Sequence, residues 1–209
     1  MSKSNNLTDF LTGIADAIRA KKGTTETINP QDFETEIANL SSGGSSENKL
    51  LQLVNGQLSE LTAEDLAGAT QIADYAFSEN ASLEKVVLPE TCLSVGSNAF
   101  YSCLSLTEVT ISNSVTTIGE FAFNNCEGLN VLTIGSSVQT IGNAAFKSIG
   151  MGVDTATITI LATIPPTIQS TTFNQAMIQK IIVPSGTLAT YKAATNWSKY
   201  ASKLQEATA

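Results

Sequence analysis

Aromatic and aliphatic residues recur along this chain at a fixed interval. Phe77, Phe100, Phe123 and Phe146 stand 23 residues apart, each closing a triplet that reads YAF, NAF, FAF or AAF. Ile72, Val95, Ile118 and Ile141 keep the same interval, as do Leu83, Leu106 and Leu129. Apolar pairs separated by one residue follow suit: Val86/Leu88, Val109/Ile111 and Leu132/Ile134. Ile158/Ile160 and Ile181/Val183 continue the pairs. Phe173 continues the phenylalanine column, after an insertion around Ile149–Asp154 and a second carrying Pro165 and Pro166. A self-similar period of this length marks a solenoid, here of about five rungs. Each rung has room for one short strand, one stretch of convex backbone and two connections. The apolar-x-apolar pair points one strand face inward, and rungs stacked about 4.8 Å apart build a parallel sheet. Gly96, Gly119 and Gly142 each follow the aliphatic residue before the triplet. They serve either a positive φ or a close backbone approach at the bend.

A stack of rungs has two open ends, and the flanking segments read as caps. At the front, KLLQLVNGQLSEL reads as two strands joined at Asn55-Gly56, a strong hairpin signal. Thr62 then stands as an N-cap, with Leu61 and Leu66 spaced as a hydrophobic staple. At the back, VPSGTLATYKAATNWSKYASKLQEA reads as one or two short helices, with Leu188, Tyr191, Trp197, Tyr200 and Leu204 closing the last rung.

The N-terminal segment follows a helical period. Leu7, Phe10, Leu11, Ile14 and Ile18 form one stripe ended by Gly23. A second helix starts at Asn29-Pro30 and carries Phe33, Ile37 and Leu40. SSGGSSEN, residues 41–48, is a flexible linker. The expected organisation is a helical hairpin over 1–40, the linker over 41–48, and the capped solenoid over 49–209. Two helices this short bury little apolar surface alone. Phe10, Leu11, Ile14, Ile18, Phe33 and Ile37 are therefore expected to anchor the hairpin on a partner or on its own copies.

The run LTEVTISNSVTTIGEFAFNNC, residues 106–126, resembles the unit of the BspA-like leucine-rich-repeat family. The resemblance covers roughly residues 50–205, and IIVPSGTLATYKAATNWSKYASKLQ is similar to the usual end of such arrays. LTDFLTGIADAIRAKKGTTETINPQDFETEIANL resembles a leader found on virion and tail proteins of phages infecting Gram-positive gut bacteria. The resemblance implies an α+β fold: a right-handed leucine-rich-repeat solenoid with a parallel β-sheet, an N-terminal helical hairpin and a C-terminal helical cap. It also implies a broad role in adhesion and carries no catalytic residues. Fold alone does not settle function.

Composition narrows the chemistry. Charged residues make up only 14% of the chain, so its surface must be covered by Ser, Thr, Asn and Gln, as suits a β-rich body. From Glu60 to Glu127 there are ten acids and one base, Lys85. An acidic middle repels phosphate backbones, which argues against nucleic acid as a partner. The chain has no histidine, which removes His-based triads and the usual general base near neutral pH. Gly150-Met151-Gly152 is a connector rather than a phosphate loop. Glu84, Glu90, Glu108, Glu120 and Glu127 recur on rungs without forming one strict column, and read as solvated acids rather than as metal ligands or a glycosidase pair. Cys103 and Cys126 share a column with Asn80 before and Ile149 after. They are near enough for a disulfide, yet read first as buried thiols. Cys92 aligns with Val115 and Val138 as core. No catalytic residue, metal site or cofactor is expected.

Function is then expected on the outward strand positions. Val87, Thr110, Thr133 and Thr159 lie between the apolar pairs, flanked by Lys85, Glu108, Val131 and Thr157. This threonine-rich strip suits a sugar polymer or a protein, although threonine also simply suits an exposed parallel strand. No apolar run is long enough for a membrane span, and MSKSNNLTDF lacks the basic and apolar regions of a secretion signal. The resulting expectation is a phage virion protein made in the host cytoplasm. Residues 1–40 would bind other virion proteins and form a homo-oligomer, and the solenoid would meet a host-surface glycan or protein. The alternatives are a purely structural capsid decoration or fibre, and an intracellular bacterial protein-interaction module.

Overall fold

The computed structural model describes residues 59–208, apart from 154 and 174–176. Within these residues the chain coils through a succession of short strands. They are β1 (Glu60–Leu61), β2 (Gln71–Ile72), β3 (Lys85–Val87), β4 (Ser94–Val95), β5 (Glu108–Thr110), β6 (Thr117–Ile118), β7 (Val131–Ile134), β8 (Thr140–Ile141), β9 (Ala156–Ile160), β10 (Thr167–Ile168) and β11 (Ile178–Val183). Helix α1 (Leu188–Ala193), a 3-10 turn (Trp197–Tyr200) and strand β12 (Leu204–Glu206) follow. The expected hairpin helices and linker, with Phe10, Leu11, Ile14, Ile18, Phe33 and Ile37, lie outside the described residues, as does most of the front hairpin.

Two parallel sheets form where one was expected. The first runs β1-β3-β5-β7-β9-β11-β12 and the second β2-β4-β6-β8-β10. The second is built from the Ile72, Val95, Ile118 and Ile141 column, continued by Ile168, each paired with its equivalent on the next rung. These positions read as convex backbone in the sequence because a two-residue strand shows no alternation. Stacking makes them strands, since every straight segment meets its own copy one rung away.

The third side is a run of turns, also hydrogen-bonded from rung to rung. Phe77 N–H donates to Ala99 O at 2.7 Å, Phe100 N–H to Ala122 O at 2.7 Å, and Phe123 N–H to Ala145 O at 2.8 Å. The phenylalanine rings stack in one file. Their centroids are 5.1, 4.9, 5.2 and 5.4 Å apart from Phe77 through Phe173, and successive rings are within 13° of parallel. Leu83, Leu106 and Leu129 and the inward residues of both sheets complete a continuous buried spine.

The bend glycines serve close approach. A Cβ on Gly119 would lie 2.6 Å from Ser97 N, and one on Gly142 would lie 2.6 Å from Glu120 N. Positive φ falls instead on two columns of non-glycine residues: Tyr75, Asn98, Phe121 and Ala144, then Glu79, Ser102, Asn125 and Ser148.

The ends depart from their expected form. Thr62 and Asp65 make reciprocal capping bonds, Asp65 N–H to Thr62 Oγ1 at 3.3 Å and Thr62 N–H to Asp65 Oδ2 at 2.9 Å. The helix nevertheless stops at a turn, because the chain leaves through Gly68 at φ 84°. Glu60–Leu61 joins the first sheet as a parallel strand. At the back, only six residues are α-helical. Leu204, read as part of a helix, sits in β12, which pairs with β11 and so covers an edge that a helix would leave without ladder partners.

The closing segment also supplies hydrogen-bond donors to the last rung. Tyr191 O–H donates to Ala162 O at 2.7 Å, Asn196 Nδ2–H to Ile168 O at 2.7 Å, and Tyr200 O–H to Phe173 O at 3.1 Å. Glu206 Oε1 accepts from the N–H groups of Gly186 (3.0 Å) and Leu188 (3.3 Å). Its carboxylate thereby satisfies amides at the start of α1 that have no partner within the helix.

Candidate functional site

The strand register decides which outward side chains become neighbours. Inward positions Val86, Val109, Leu132, Ile158 and Ile181 are buried, so the residues on either side face outward. Pairing across the first sheet aligns Glu60, Lys85, Glu108, Val131, Thr157 and Lys180 in one column. It aligns Val87, Thr110, Thr133, Thr159, Ile182 and Gln205 in a second. All eight residues expected to form the surface strip therefore share one face.

Glu60, Lys180, Ile182 and Gln205 extend the strip beyond those eight. Ile182 was legible, since it stands between Ile181 and Val183. Glu60 and Gln205 were hidden because their strands belong to no recognisable repeat.

The strip changes character along its length. Near its start, Lys85 Nζ lies 2.9 Å from Glu108 Oε1, with both side chains more than a third exposed. The pair contributes up to about 1 kcal/mol, and Glu60 in the same column leaves that end with a net negative charge. Beyond it the face is uncharged until Lys180, with Val131 46% exposed. Three threonine hydroxyls elsewhere bond backward to the preceding rung: Thr107 Oγ1 to Glu84 O at 3.0 Å, Thr116 Oγ1 to Leu93 O at 3.2 Å, and Thr91 Oγ1 to Ala69 O at 2.9 Å. Among the described residues, the hydroxyls of Thr110, Thr133 and Thr159 have no such partner.

The remaining candidate chemistry is used for structure. Cys103 Sγ–H donates to Phe77 O and Cys126 Sγ–H to Phe100 O, both at 3.1 Å, and both thiols are buried and free. Burial pushes the Cys126 thiol well above its usual range. Cys92 is buried as core, and its thiol too is raised by burial. Glu90 accepts from Asn113 N–H at 3.3 Å and Ser114 O–H at 3.0 Å, and Asp74 accepts from Ser97 N–H at 2.6 Å. Carboxylates on one rung thus tie down the backbone of the next. Among the described residues, no three His, Cys, Asp or Glu side chains gather as a metal site. None of their helices is long and apolar enough to cross a membrane. An open cleft of about 430 Å³ lies between the loops carrying Ser136 and Ile164, and includes none of the strip residues.

Several solved structures are similar to this chain. The pneumococcal vaccine antigen PcpA is 19% identical over 72% of this chain, which spans 41% of that antigen, at a TM-score of 0.47. The leucine-rich repeat protein of T. pallidum is 17% identical over 72% of this chain and 87% of its own, at 0.40. A leucine-rich repeat protein from Bacteroides ovatus is 21% identical over 55% of this chain and 37% of its own, at 0.39. No curated protein matches the chain. The family described as BspA type leucine rich repeat region matches in six copies over residues 70–199. With its repeat columns in register and its rungs stacked in parallel, the chain belongs to the BspA-type leucine-rich-repeat family.

Proposed function

We propose that this chain is a non-enzymatic binding module of the interaction or adhesion kind, with the outer face of the first sheet as its contact surface. The observation that carries this reading is the in-register file of Thr110, Thr133 and Thr159 beside Val131, which is 46% exposed, on a face that is otherwise uncharged between Glu108 and Lys180. Stacked strands hold these hydroxyls about 4.8 Å apart on a rigid plane. A ligand meeting them loses little to ordering of the protein.

The ligand is a host-surface glycan or protein. The virion setting, with residues 1–40 as mount and oligomerisation element, rests on sequence resemblance alone. The family match begins at residue 70 and the described residues at 59. Fluorescently labelled full-length chain, incubated with Gram-positive gut bacterial cells, tests the reading. Wild type should label cells, and Thr110→Arg/Thr133→Arg should abolish labelling with Tm unchanged. Equal labelling by both proteins refutes the surface.

A further inference from the structure

The turn run that buries the phenylalanine spine also carries aromatic residues that are not buried. Successive rungs read ADYAFSEN, GSNAFYSC, GEFAFNNC and GNAAFKSI. The phenylalanine fifth in each is in the stack, whereas Tyr75 is 46% exposed and Tyr101 and Phe121 are half-buried. Tyr75, Asn98 and Phe121 occupy one column at 23-residue spacing. Tyr75 and Phe121 are therefore two rungs apart, about 9.6 Å along the stack. Tyr101 belongs to the rung between them.

The backbone at this column is in the left-handed region, with φ of 59° at Tyr75, 57° at Asn98 and 55° at Phe121. Asparagine enters that region readily, whereas bulky side chains do so at a cost. Burial offsets little of that cost at Tyr75, which is 46% exposed. The same backbone recurs at Ala144, which carries no ring, so the rung sets the conformation and the partly exposed rings of Tyr75 and Phe121 are additional to it.

We propose that Tyr75, Tyr101 and Phe121 form a second binding face, distinct from the sheet surface, that takes a neutral glycan chain. The rings offer flat apolar faces to sugar rings, as aromatic residues do where one ligand surface is apolar and its rim is polar. Asn98 occupies the same column and carries an amide that can meet hydroxyls, whereas the Asn124 amide donates to Ala144 O at 3.3 Å. Asp74 and Glu120 flank the column and disfavour anionic polymers. Repetition along a straight stack matches a ligand that is itself a repeating polymer.

Isothermal titration calorimetry and NMR of the ring resonances, on the full-length chain, test this with soluble hexasaccharides of β-1,4-linked glucose and of β-1,4-linked N-acetylglucosamine. Wild type should bind at least one and shift all three ring systems. Tyr75→Ser and Phe121→Asn should each lower affinity about tenfold or more. Tyr75→Ser, at the most exposed of the three rings, should do so with Tm within a few degrees of wild type, which separates lost binding from structural damage. Loss of sugar binding in Thr110→Arg, with Tyr75→Ser binding as wild type does, would place the sugars on the sheet surface and overturn this face. Failure of wild type to bind either sugar, or full affinity in the Tyr75→Ser/Phe121→Asn double variant, overturns the proposal.

Discussion

The indole N–H of Trp197 donates to the carbonyl oxygen of Pro166 at 2.7 Å, both buried beneath the closing segment. Pro166 immediately precedes β10, the last strand of the second sheet among the described residues. The ring also lies 5.8 Å from that of Phe173 and ends the aromatic file. Trp197→Phe keeps an aromatic ring and removes the donor. It should cost about 1–3 kcal/mol, because an orphaned buried carbonyl carries its full desolvation penalty. Urea unfolding followed by far-UV circular dichroism should show a lower midpoint at an unchanged slope.

Phe123 contacts a stacked ring on each side, at 4.9 and 5.2 Å, and is fully buried. Phe77 has one such neighbour and is 9% exposed. Phe123→Ala should therefore destabilise by about 3–5 kcal/mol, and Phe77→Ala by distinctly less. Equal losses in denaturant titrations would show that the file does not act as a continuous core.

Exchanges between glycine and larger residues should have opposite signs at two kinds of position. Gly119→Ala places a methyl group against the backbone of the preceding rung and should cost about 1–3 kcal/mol. Ser148 has φ 68°, where a side chain is strained. Ser148→Gly should stabilise by about 0.5–1 kcal/mol, the relief of strain exceeding the added chain entropy. Differential scanning calorimetry of the two variants reads both signs.

Alkaline pH should unfold the repeat body. Burial raises the hydroxyl pKa of Tyr191 and Tyr200 and the thiol pKa of Cys92 and Cys126. Folded pKa values above the unfolded ones mean that the unfolded chain gives up these protons first. Stability from these groups is intact below the unfolded values, about 8.5 for thiols and about 10 for tyrosine. It is lost as pH rises beyond them. Guanidine midpoints measured at closely spaced pH values should fall from about pH 9 upward. Tyr191→Phe should show a shallower fall than wild type, alongside a neutral-pH loss from its missing bond to Ala162 O.

What the sequence determined by itself is whatever repeats. Phe77, Phe100, Phe123 and Phe146 occupy equivalent environments, so the same side chain recurs and the interval exposes the stack. The strip from Lys85 to Thr159 was legible for the same reason, as the outward positions between recurring apolar pairs. Tertiary structure decided what depends on a neighbour rather than on residue type. The second sheet rests on two-residue segments, too short to show a period, that become strands only when their copies lie alongside. The left-handed column holds Tyr75, Asn98, Phe121 and Ala144, which share no propensity. Rung-to-rung hydrogen bonds impose one conformation on all four. Strand β12 and the donors from Tyr191, Asn196, Trp197 and Tyr200 are equally invisible in a linear reading, because they answer carbonyls and strand edges that exist only once the last rung is folded.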